Sequence, residues 1–185
     1  MIDDLIQDAV RRMDKSVETT QHEFNSIRTG RASAALLDHV SVDYYGTATP
    51  LNQLSTINVP EPRMLTVQPF DPGSLKAIEK AIMESNLGLT PSNDGKIIRL
   101  PIPQLTEERR KDLVKVVRQR AEDGRVAVRN VRRDVMHHMK ELVTKGEVAA
   151  DEEHRAEERV QKLTDEHVHR IDDLLKRKEA EILEV

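Results

Sequence analysis

Residues suited to burial recur in alternating steps of three and four at both ends of this chain. Near the start they are Ile2, Ile6, Ala9, Met13, Val17, Thr20, Phe24 and Ile27. The cadence returns at Leu113, Val117, Ala121, Gly124, Val128, Val131, Val135, Met139 and Leu142. It returns again at Ala156, Val160, Leu163, His167, Ile171, Leu174, Lys178, Ile182 and Val185. A period near 3.5 puts such residues in one stripe along a helix. The spacing predicts a first helix from Ile2 to about Arg28, with Gly30 past its last turn. A second is expected from an N-cap at Thr106 to about Thr144, and a third from a cap at Asp151. No single helix can bury its stripe alone, so the three are expected to form a bundle.

The texture changes between the first two stripes. Val40 to Tyr45 is β-branched and aromatic and ends at Gly46. Ser55 to Val59 reads as a second strand, broken by Pro60-Glu61-Pro62, and Met64 to Val67 as a third. Asp71-Pro72-Gly73-Ser74 opens a helix carrying Leu75, Ile78, Ala81 and Ile82, which Leu87-Gly88-Leu89 ends. Asn93-Asp94-Gly95 marks a turn before a strand from Lys96 to Leu100. The expected class is therefore α+β: a three-helix bundle made of residues 1–30 and 104–185, with a small α/β domain, 31–103, inserted. Two chain crossings join the bodies. They form an expected hinge at Gly30, Arg31, Ala32 and Ser33 on one strand and Pro101, Ile102, Pro103 and Gln104 on the other.

Composition narrows the classes of function. Of 185 residues, 34% are charged and 2% aromatic, which suits long solvated helices better than a thick core. Without Cys, no disulfide or thiolate chemistry is available. The N-terminus has no basic segment followed by an apolar one, and no apolar run approaches the roughly 20 residues of a membrane span. A soluble cytoplasmic protein with no membrane partner is expected. The net charge of −4 conceals an asymmetry. Residues 106–146 hold 12 Lys and Arg against 7 Asp and Glu, whereas residues 147–185 hold 7 against 13.

On a helical projection Lys111, Lys115, Arg118, Arg125, Arg129, Arg132 and Lys140 share one face of the second helix, interrupted by Glu122. Guanidinium forks match phosphate oxygens, and a rigid row of them follows a nucleic-acid backbone without reading bases. A solvated face, or one paired with the acidic third helix, accounts for the same charge pattern and leads on that pattern alone. The segregation of Asp112, Asp123, Asp134 and Glu141 to another face raises the RNA reading. His137 and Glu141, or Asp134 and His138, stand at i,i+4, but no third ligand accompanies them, so no metal is expected. Tyr44 and Tyr45 are read as packing residues ahead of base-stacking ones. No phosphate loop, nucleophile elbow or dinucleotide fingerprint occurs, so neither an enzyme nor a cofactor is expected.

Several blocks resemble the bacterial ribosome recycling factor family. They are Ile27-Arg28-Thr29-Gly30-Arg31-Ala32-Ser33, Tyr44-Tyr45-Gly46 with Pro50-Leu51, and Leu87-Gly88-Leu89 with Asn93-Asp94-Gly95. Leu105 to Arg110 and Val128-Arg129-Asn130-Val131-Arg132-Arg133-Asp134 complete the set, in order along the chain. The resemblance implies an elongated three-helix bundle with an inserted βαβ-type domain, arranged in an L like transfer RNA. It implies a monomer that binds the 70S ribosome on the 50S subunit's 23S ribosomal RNA. With elongation factor G and GTP it would separate the subunits, and initiation factor 3 would then hold the small subunit apart. The family's RNA-contacting arginines carry over as Arg28 and Arg31 and as Arg129 and Arg132. The basic face adds Arg125, and the last motif adds Arg133.

Overall fold

The computed structural model describes residues 1–184, and Val185, the last residue of the third stripe, lies outside them. In chain order the elements are α1 (Ile2–Asn25), β1 (Ser41–Tyr44), β2 (Thr47–Pro50), the single-turn α2 (Leu51–Leu54), β3 (Ser55–Glu61) and β4 (Met64–Pro69). They continue with α3 (Leu75–Glu84), β5 (Ser92–Asn93), β6 (Ile98–Pro101), α4 (Glu107–Thr144) and α5 (Ala150–Leu183). Residues 1–29 and 106–185 form one compact unit, and residues 30–105 form another.

The first unit holds the three long helices. In α4 each stripe position from Leu113 to Met139 is buried. In α1 the buried set is Ile6, Ala9, Met13, Val17, Thr20 and Phe24. The stripe of α5 differs from expectation at two steps: Thr164 is buried where Leu163 is only half-buried, and Leu174 is also only half-buried. The Thr164 hydroxyl is satisfied by donating to Val160 O at 2.8 Å. Lys178 is also buried, and its ammonium lies 3.3 Å from Glu181 Oε2.

Gly124 marks a close approach of the three helices. A Cβ built there would sit inside contact distance of Thr20 Oγ1 on α1 and 3.2 Å from Ile171 Cδ1 on α5. Thr20 has little room to yield, because it is stiff at χ1 and its hydroxyl donates to Ser16 O at 3.0 Å. The glycine therefore exchanges helix propensity for proximity. Nearby, the His167 ring is 5% exposed, with Nε2 2.7 Å from Asp14 Oδ1 on α1 and Nδ1 2.7 Å from Leu163 O. Arg170 Nη1 donates to the same Asp14 oxygen at 2.9 Å. The hydrogen bond from His167, then that from Arg170, holds the Asp14 carboxyl below the ordinary carboxylate range.

Helix ends show where local chemistry overrode the pattern. Helix α1 stops at Asn25, before the expected Arg28, where the Ser26 hydroxyl donates to Glu23 O at 2.6 Å and competes with the helical ladder. Thr106 caps α4 as expected, accepting from Arg109 N at 3.1 Å. Asp151 does not cap α5. It lies inside the first turn, bonded to Arg155 Nη2 at 2.8 Å, and Ala149 holds the cap position without a side-chain bond.

The second unit is built on antiparallel strands. β1 and β2 form a hairpin, and the other four form a sheet in the order β3-β4-β6-β5. The strand–helix–strand order of β4, α3 and β6 is present, but β4 and β6 pair antiparallel. Leu65 pairs across from Leu100 and Val67 from Ile98. All four face a core shared with Leu37, Val42, Leu51, Ile78 and Ile82. Pro60, expected to end its strand, is accommodated: β3 is an edge strand and the register shifts between Asn58 and Glu61. β2 and α2 were not expected, being too short to carry a period. β5 is a two-residue strand ahead of the Asn93-Asp94-Gly95 turn. Asp94 Oδ1 accepts from Ile97 N at 2.8 Å and Lys96 N at 3.0 Å, which lowers its pKa to about 2.

Two predictions follow from the bundle. An exposed helix-interior Gly→Ala change ordinarily gains about 1 kcal/mol, but overpacking costs ~1–3 kcal/mol. Gly124→Ala should therefore unfold at lower denaturant than the parent, and adding Thr20→Ala should recover most of the loss. A more stable single variant would refute the close approach. Because the folded Asp14 carboxyl titrates below its unfolded value, its contribution is complete above about pH 4 and disappears as pH falls through the folded pKa. Asp14→Asn should thus be less stable than the parent near about pH 7, with the gap narrowing as pH falls below about 4; chemical denaturation on both sides of that value checks this.

Candidate nucleic-acid interface

The expected basic face of α4 divides in two. Its stretch from Arg118 to Arg125 is neutralised by α5. Arg118 Nε lies 2.6 Å from Glu179 Oε1, and Arg125 Nη2 lies 2.6 Å from Asp172 Oδ1. Arg125 is also 3.0 Å from Glu122 Oε2, and its side chain is only 19% exposed. Burial opposes its charge, and the bonds from Asp172 and Glu122 more than offset that, so its pKa is raised. A guanidinium held this way by two carboxylates is a structural cation; the expectation that Arg125 is available to a phosphate does not match its surroundings. The paired reading of the charge pattern holds for this stretch.

The segment from Arg129 to Arg133 is different. Arg129 Nη1 stands 3.6 Å from Glu122 Oε1, a carboxylate it shares with Arg125, and its side chain is 44% exposed. Among the described residues Arg132 meets no carboxylate: its Nη1 donates to the uncharged Gln161 Oε1 at 2.7 Å, and its buried Nε has no hydrogen-bond partner among them. Arg133 is exposed and has no ion-pair partner among the described residues. Asn130, also exposed, completes a turn and a half of α4 that keeps its positive charge. Asp134 would weaken that field but is turned to α1, where Arg12 Nη1 donates to its Oδ2 at 2.6 Å. That bond also lowers the Asp134 pKa.

Arg28 is exposed in the short segment after α1. The contacts Arg12–Asp134 and Glu23–Arg120 make α1 antiparallel to α4. The end of α1 therefore lies about 20 Å along the bundle axis from Arg132, so Arg28 and the Arg129–Arg133 segment are separate positive points. Arg31 is exposed within the second unit.

The linker residues are unevenly tied. Thr29 is buried in the first unit and donates to Glu181 Oε1 at 2.9 Å. In the second unit Ala32 N donates to Pro62 O at 2.7 Å and Ile102 N to Arg63 O at 2.8 Å, while Pro101 ends β6. Ser33 Oγ accepts from Ala35 N at 3.2 Å, capping a short 3₁₀ turn. Gly30 takes φ +77°, a value that β-carbons disfavour.

His137, His138 and His167 are accounted for locally. His137 Nε2 is 3.4 Å from Glu141 Oε1, His138 Nδ1 is 3.9 Å from Asp134 Oδ1, and His167 is in the core. Among the described residues no group of three or more His, Asp or Glu is arranged to hold a metal ion, and no helix is long and apolar enough to cross a membrane. Tyr44 packs as expected, half-buried with its hydroxyl donating to Asp71 Oδ2 at 3.2 Å, whereas Tyr45 is 83% exposed at the β1–β2 turn. Sequence reasoning did not single out Glu179, Asp172 or Gln161. The only signal was the acidity of the third helix, which does not specify a register.

A family model described as "Ribosome recycling factor" matches residues 20–183. The ribosome-recycling factor of Rubrobacter xylanophilus is 56% identical over 180 residues, covering 97% of each chain. A solution structure of a ribosome recycling factor is 43% identical, with a TM-score of 0.78 over 100% of this chain and 98% of that one. The T. thermophilus ribosome recycling factor, described together with E. coli elongation factor G bound to the E. coli post-termination complex, is 50% identical, with a TM-score of 0.65 over 99% of each chain. With its three-helix unit, its small antiparallel-sheet unit and full-length similarity of this order, the chain belongs to the ribosome recycling factor family, whose members are translation factors and not enzymes.

Proposed function

We propose that this protein binds the post-termination ribosome on the large subunit and, with elongation factor G and GTP, separates the subunits so that initiation factor 3 can hold the small one apart. The observation that carries the reading is the full-length match to recycling factors, one of them described with elongation factor G on a post-termination complex. The charge distribution on α4 supports it. Arg129, Arg132 and Arg133 retain net positive charge on a stiff helix, which suits phosphate contacts to 23S ribosomal RNA. Arg28 and Arg31 supply further contacts. Arg125, already neutralised, supports the bundle.

The inserted unit turns about the linkers when the GTPase acts on it. The hydrogen bonds of Thr29, Ala32 and Ile102 favour placing the pivot near Gly30 on one strand and at Pro103–Gln104 on the other. Few residues then absorb the rotation. A close-packed bundle resists compression and passes the displacement on.

Purified post-termination ribosomes, elongation factor G and GTP, with and without this protein, test the function by light scattering. Failure to accelerate splitting would reject it. Two variants test the parts. Arg133→Ala should weaken large-subunit binding about fivefold to tenfold and lower its salt dependence, whereas Arg118→Ala should leave binding near the parent's value. Equal effects would return the whole basic face to one role. Gly30→Val places a β-branched residue at φ +77°, with Cβ 3.2 Å from Leu105 Cγ. It should slow splitting more than it weakens binding; unaltered splitting removes Gly30 from the hinge.

A further inference from the structure

Arg118, Arg125 and Arg132 stand seven residues apart on α4. Glu179 and Asp172, the partners of the first two, stand seven apart on the antiparallel α5. The next step of that register brings Asp165 opposite Arg132, and a third salt bridge of the same kind is due there. It does not form. Gln161, one turn before Asp165 on α5, takes both groups: its Nε2 donates to Asp165 Oδ1 at 2.9 Å and its Oε1 accepts from Arg132 Nη1 at 2.7 Å.

The chemistry of the three groups fixes this order. Guanidinium only donates and carboxylate only accepts, so neither end of the relay can be reversed. An amide carries both a donor and an acceptor, and here it satisfies both groups at once. A carboxylate in its place would bind the arginine and repel Asp165; an apolar residue would leave the two charges to meet. Gln161 thus orients Arg132 while leaving its charge uncancelled, and among the described residues its bond to Nη1 is the one hydrogen bond that the guanidinium makes.

We infer that Gln161 is a positioning residue for ribosomal-RNA binding: by holding Asp165 on its amide nitrogen it keeps that carboxylate from capturing Arg132, which stays charged and aimed for a phosphate. The inference rests on the reading of Arg132 as an RNA contact, and it explains why a stripe neutralised at Arg118 and Arg125 becomes active at Arg132. It adds a residue of α5 to an interface otherwise confined to α4 and the linker arginines.

The test compares Gln161→Ala, Gln161→Ala with Asp165→Asn, and Arg132→Ala for binding to purified large ribosomal subunits over a salt series, with thermal unfolding of each. Gln161→Ala should free Asp165 to pair with Arg132. Affinity should then fall about tenfold toward that of Arg132→Ala, and the slope of log affinity against log salt should decrease by about one. The melting temperature should not drop with it, since a salt bridge replaces the amide relay. Adding Asp165→Asn removes the captor and should restore binding, an outcome that a merely structural role for Gln161 would not produce. Parental binding by Gln161→Ala, or a double variant as weak as the single one, would overturn the inference while Arg132→Ala remains defective. Parental binding by Arg132→Ala would overturn the reading of Arg132 and this inference with it.

Discussion

Three helices whose stripes are too exposed to exist alone must close on one another, and the seam at Gly124 sets how closely they do so. The absent side chain lets Thr20 and Ile171 approach the α4 backbone together. Everything built on the bundle inherits that spacing. The cross-helix contacts of Asp14 with His167 and Arg170, of Arg12 with Asp134, and of Arg118 with Glu179 require helices near enough for side chains to span. A long helix of high charge would otherwise depend on its own i,i+4 pairs, which contribute only about 0.2–0.5 kcal/mol each.

The same contacts sort the charges. Proximity of α4 and α5 cancels the cations that face the acidic helix and leaves uncancelled those whose carboxylates are engaged elsewhere. Asp134 is held by α1, Asp165 is held by Gln161, and Glu122 is divided between two arginines. The retained positive field at Arg129–Arg133 is thus a product of packing, although the residues that carry it adjoin in sequence. On the proposed reading as a ribosomal-RNA contact, such a field gains from being local. A uniformly basic helix would bind any RNA surface with similar strength.

Periodicity made the long helices legible. Every α4 stripe position from Leu113 to Met139 is buried because a helix of that length leaves one phase of burial open. The motif Val128–Asp134 and the Ile27–Ser33 block likewise carry the family resemblance in the sequence itself. Shorter features were less legible. β2, α2 and β5 are too brief for a period to register, and Pro60 is tolerated only because β3 lies at a sheet edge with a register shift. Asp151, a good capping residue by type, stands two positions past the Ala149 cap and binds its own i+4 arginine instead.

The sequence alone determined the three stripes, the inserted strand-rich segment, the basic character of α4 and the family, since all of these are properties of residue order and local geometry. Tertiary structure alone decided which arginines are paired with carboxylates, where α1 ends, how far the linkers are tied down, and that Thr164 fills a core position in α5. The physical reason is one of range. Helical period repeats within a few residues and is written in the chain, whereas a salt bridge or an amide relay between helices depends on register. Register is set only when all three surfaces meet.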